Sequence, residues 1–175
     1  MSENVFSGIF LDEIGQRIIR ILNTGIDNVF TDVHNKYMPR DDVKYRNCLQ
    51  RVRHWDGAIV HEELSSLKKT FPDTDNVVKQ CFVNYVKTMR GGTFSKINVK
   101  VPATTDILKQ FYENASQNNF IVSGNYFSLG PFDQKMVCMD AIRDSFYEFC
   151  NDDYVEVVPT AEKLSLIHIS EPTRR

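Results

Sequence analysis

Side chains capable of metal or acid–base chemistry crowd into one stretch, "RHWDGAIVHEEL", Arg53 to Leu64. It holds His54, Asp56, His61, Glu62, Glu63 and the chain's only tryptophan, Trp55. A metal site on a helix needs its ligands on one face, which is why His-Glu-x-x-His places its histidines at i and i+4. His61 is followed by Glu62 and Glu63, but position 65 is serine. His54 lies seven residues before His61, across a boundary that Asp56 is suited to cap. Val60, Leu64 and Leu67 form an apolar stripe, which leaves His61 and Glu62 on the polar side and Glu63 at the flank. Trp55, just before the cap, suits a hydrophobic staple or a core anchor. The stretch reads as the start of a helix, and neither a metal nor another cofactor is expected.

Two other segments invite a functional reading. "MRGGTFSK" has the glycines of an anion-binding loop, but Gly91-Gly92 follows a helix, whereas phosphate cradles lead into a helix N-terminus. Lys87, Arg90, Lys96 and Lys100 nevertheless form a basic strip around this corner. It is either a solvated face or a contact for phosphate or an acidic partner surface. "SGNYFSLG" either displays Tyr126 and Phe127 for stacking or docking, or plugs its own core with them. No serine, cysteine or threonine sits in a nucleophile motif. The expectation is a non-enzymatic protein.

These residues must be positioned by a chain of 175 residues, 42% hydrophobic and 25% charged, enough for one domain with a real core. A net charge of −2 exerts no broad pull toward nucleic acid or anionic membrane, so nucleic acid is a less favoured partner than protein. Cys48, Cys81, Cys138 and Cys150 contain no Cys-x-x-Cys pair, and three lie in apolar helical stripes; they read as reduced core residues. The N-terminus lacks a basic leader and its apolar run breaks at Asp12-Glu13, so a secreted protein is not expected. No apolar run reaches the roughly 18 residues a membrane span needs. "LSLIHISEPTRR", Leu164–Arg175, breaks the preceding pattern and looks like translated sequencing adapter. The expected domain is therefore residues 1–158, with 164–175 outside the fold. From Ser165 onward the tail carries +1, leaving −3 on the rest.

The periodicity predicts a mainly α bundle of about six helices with one short extended segment. Ser2 or Asn4 caps a first helix to about Lys36, with Phe10, Ile14, Ile18, Ile21, Leu22, Val29 and Val33 on its stripe. Asp41 or Asp42 opens a second, carrying Val43, Leu49 and Val52 to near Trp55. Asp56 caps a third to about Thr70, and a fourth spans Asp75 to Arg90. "INVKVP" alternates as a short strand before Pro102, and Thr104 or Thr105 caps a fifth helix. Ser116 to Asp133 reads as a long connection. Asp133 caps the last helix, whose stripe is Met136, Met139, Ile142, Phe146 and Phe149, and "YVEVV" is a further extended candidate.

The order and spacing of several signposts resemble an uncharacterised family of small helical proteins of nucleocytoplasmic large DNA viruses, the giant viruses. They are "FLDEIGQRIIRI", "HWDGAIVHEELSSLKKTFP", "CFVNYVKTMR", "INVKVP" with "ILKQFYENAS", "GNYF" and "MVCMDAIRDSFYEF", covering roughly Phe10 to Val158. The resemblance implies a viral protein, a structural or interaction component associated with the virion or minor capsid, and transfers no catalytic residue. Its partners would be viral or host proteins, and its location the virion or infected-cell cytoplasm. The alternative is an adaptor in the infected cell that touches nucleic acid or a host protein through the basic strip.

Overall fold

The computed structural model describes residues 8–90 and 95–159. Among the described residues, seven helices and a two-stranded sheet make a mainly α domain. In chain order they are α1 (Glu13–Tyr37), α2 (Asp42–Gln50), α3 (Gly57–Thr70), α4 (Thr74–Arg90), β1 (Ser95–Val99), α5 (Thr104–Gln117), α6 (Asn119–Val122), α7 (Pro131–Glu148) and β2 (Val155–Pro159). Short 3-10 turns, Arg51–His54 and Asn125–Ser128, extend α2 and precede α7. Among the described residues, no helix is long and apolar enough to cross a membrane. Gly91, Gly92 and the 164–175 tail lie outside the described residues.

Aspartate caps set three helix starts. Asp12 accepts from the Gly15 amide at 2.7 Å, Asp41 from Lys44 at 3.1 Å and Asp56 from Ile59 at 3.0 Å. Helix α1 therefore begins at Glu13, later than expected, and the proposed caps Ser2 and Asn4 lie outside the described residues. The chain at Ile9–Phe10 crosses directly over its first turn. A Cβ at Gly15 would stand 2.3 Å from the Ile9 carbonyl oxygen, so only glycine permits the crossing.

The core lies where α1, α4, α5 and α7 meet. Ile18, Leu22, Ile26 and Phe30 of α1 face it, as do Phe82 and Tyr85 of α4, Phe111 and Tyr112 of α5, and Phe146 of α7. Phe146 packs edge-on against Phe82 at 5.4 Å, the offset geometry that ring quadrupoles favour. Helix α3 adds Val60, Leu64 and Leu67, the stripe its sequence predicts.

Several local expectations require correction. Val43 is 56% exposed; α2 buries Tyr45 along with the expected Leu49, and the Tyr45 hydroxyl donates to the Ile121 carbonyl. Helix α5 starts after Ala103 with no side-chain cap, which leaves Thr104 and Thr105 in its first turn. Helix α7 begins at Pro131, whose fixed φ and missing N–H suit the first helical position, so Asp133 falls in the first turn rather than at the cap. Its buried stripe is Val137, Cys138, Ala141, Ile142, Ser145 and Phe146, while Met136 is 40% exposed. The 116–133 connection is more ordered than expected: Asn118 caps α6 by accepting from the Phe120 amide at 2.9 Å.

Both extended candidates form strands. β1 and β2 pair antiparallel with Ile97 opposite Val157 and Val99 opposite Val155. Inward-facing Ile97, Val99 and Val155 attach the sheet to the helical core.

Candidate functional site

The basic corner is built from the last turns of α4 and the outer face of β1. Lys87 and Arg90 lie one turn apart at the C-terminal end of α4, where the helix dipole favours cations. Both are exposed, and the Arg90 guanidinium donates to the Cys150 carbonyl at 3.3 Å, joining α4 to the end of α7. Strand alternation turns Ile97 and Val99 inward and leaves Lys96 and Asn98 exposed on the other face, followed by exposed Lys100. Among the described residues, none of these four cations is in an ion pair. By contrast, Arg17, Arg46, Lys68 and Arg143 each pair with an aspartate.

The register also brings acidic neighbours that sequence spacing did not reveal. Glu156 stands opposite Asn98, diagonal to Lys96 on the same face of the sheet. Asp152 and Asp153 share a shallow cavity of about 300 Å³ with Lys100 and Glu156. Lys100 and Lys96 therefore both have acidic neighbours without being paired to them, and Lys87 and Arg90 stand apart from these carboxylates on α4.

The aromatic pair has the core-plugging role. Tyr126 is fully buried and its hydroxyl donates to Asn23 Oδ1 at 2.8 Å, so its ring offers no face to a partner. Phe127 is half-buried; it stacks on His34 with centroids 4.2 Å apart and meets Tyr126 edge-on at 5.2 Å. The two residues fasten the loop to α1, on a different part of the fold from the cations.

In the opening stretch, Asp56 caps α3, and His54, His61 and Glu62 are exposed. No group of three or more His, Cys, Asp or Glu converges among the described residues. Trp55 is a half-buried anchor tilted against Tyr112 at 5.3 Å. Glu63 is less ordinary. Its Oε2 is buried without a hydrogen-bond partner, as is the hydroxyl of fully buried Tyr112. Burial, aided by the charge of Glu62, raises the Glu63 carboxyl above its usual range. Burial also pushes the Tyr112 phenol well up, with Glu63 contributing. Sequence periodicity placed Glu63 at the flank of α3 but gave no sign that Tyr112 would lie near it.

Thiol chemistry is suppressed in the core: burial raises the Cys81 thiol to about 12 and the Cys138 thiol higher still. Comparison with protein-family models, with curated proteins and with solved structures finds no match to this chain.

Proposed function

We propose that the chain is a structural or interaction protein of a large DNA virus that docks on an acidic protein surface through Lys87, Arg90 and Lys96. The observation that carries this reading is the set of exposed cations at one corner, outside the ion pairs that engage other cations of the molecule. In a chain of net charge −2, such a cluster is a local departure that steers encounter with negative surfaces. The viral assignment is supported by the order and spacing of the sequence signposts and adds the virion as the place of action.

Lysine-directed crosslinking in infected cells, joined to proteomics of purified particles, tests both parts. The expected result is recovery of the chain in particles, with crosslinks from Lys87 or Lys96 to an acidic segment of another virion protein. Crosslinks at this corner with no chain in particles would instead indicate an adaptor acting in the infected cell. Absence of corner crosslinks altogether would return the strip to a solvated face.

A further inference from the structure

Helix α2 and the 3-10 turn that continues it present Arg46, Gln50 and Arg53 together. Four α-helical residues advance about 40° beyond a full turn and three 3-10 residues complete one turn, so the three side chains share a face. Across from them stand the C-terminal end of α5 and the short α6, held to α2 by the hydrogen bond from Tyr45 to the Ile121 carbonyl. The space between is a cleft of about 360 Å³. Buried Leu49 and half-buried Val122 line it with apolar surface, and Gln117 supplies a further amide.

The charged side chains that line the cleft, Arg46 and Arg53, are both cations. Arg46 pairs with Asp42 at 3.4 Å, but both are about half exposed, so the pair is weak. Arg53 is in no ion pair among the described residues. The C-terminal end of α5 and the end of the 3-10 turn that carries Arg53 each add about half a negative charge, so what the cleft offers an anion is donor geometry rather than excess charge. A guanidinium offers a planar fork of donors matched to phosphate oxygens. Two apolar residues form the floor and five polar ones surround it, and the volume lies at the lower end of the roughly 300–1,000 Å³ range of small-molecule sites.

We infer that this cleft binds a small organic phosphate, with the anion on Arg46 and Arg53 and the compact organic body against Leu49 and Val122. The site is separate from the basic corner and does not depend on the proposed docking there.

Nuclear magnetic resonance titration of the full chain with adenosine monophosphate, adenosine and inorganic phosphate tests it. Adenosine monophosphate is expected to shift the amides of 46–53 and 116–122 and to bind more tightly than either fragment. Arg53→Gln should weaken it about fivefold, the upper end for a half-exposed ion pair, and Gln50→Glu should weaken it further by repulsion. Lys96→Gln should leave it unchanged. Equal binding of adenosine, equal binding of inorganic phosphate, shifts centred on 87–100, or indifference to both cleft variants would each overturn the inference.

Discussion

Gly25 of α1 faces the buried hydroxyl of Tyr112 on α5, and the two positions are expected to be energetically coupled. An alanine Cβ at 25 would stand 2.5 Å from the Tyr112 oxygen and 3.3 Å from Cζ. The ring cannot swing aside easily, because Phe111 packs at 5.5 Å, Trp55 at 5.3 Å and Phe30 at 6.5 Å. Overpacking of this kind costs about 1–3 kcal/mol, against about 1 kcal/mol gained by replacing a helical glycine. Gly25→Ala should therefore destabilise the protein by up to about 2 kcal/mol. Tyr112→Phe removes the clashing oxygen and strands no partner, because that hydroxyl makes no hydrogen bond. In the Tyr112→Phe background, Gly25→Ala should be neutral or slightly stabilising, which gives a coupling energy of about 1–2 kcal/mol. Urea unfolding of the four proteins measures it, with unchanged m-values as the check on two-state behaviour. Equal costs in both backgrounds, within about 0.5 kcal/mol, would refute the contact.

Three further outcomes are expected. Glu63→Gln should raise stability at neutral pH: a raised folded-state pKa means that native stability is lost as pH rises through it, and glutamine removes that loss. The advantage should vanish once pH falls below the ordinary value of 4.5, and thermal melts showing an undiminished advantage in acid would contradict the burial argument. A thiol-reactive dye should label half-buried Cys48 and Cys150 in the native protein, and Cys81 and Cys138 only on unfolding; rapid labelling of all four would show an open core. Tyr45→Phe should cost about 1–2 kcal/mol in denaturant melts, because it strips the buried donor from the Ile121 carbonyl; an unchanged midpoint would show that the bond contributes nothing.

Features governed by local chemistry were legible in the sequence. The Asp41 and Asp56 caps, the α3 stripe and the alternation of Ile97 and Val99 depend on near neighbours, and the structure has all of them. The last helix was misplaced because Asp133 is a good cap in isolation, while the Gly130–Pro131 pair takes the helix start. Rotation of the α7 stripe from Met136 to Val137 follows from where α1 and α5 lie, which periodicity does not encode. The exposed cations of the corner were legible, but Glu156 beside them depends on strand register across some sixty residues. The arginine cleft was not legible, because α2 and the end of α5 are brought together only by tertiary packing.

Charge reversal at Lys87 and Lys96 tests the docking claim most directly. Both side chains are exposed, so the double glutamate variant should melt close to the parent protein, surface changes being worth about 0.5 kcal/mol or less. Binding is measured against the partner identified by crosslinking, at about 0.1 M and about 1 M salt, where screening lengths are about 10 Å and 3 Å. The account predicts that the variant binds at least tenfold more weakly at the lower salt, and that the difference collapses at the higher. A folded variant that binds as tightly as the parent protein at low salt would contradict it.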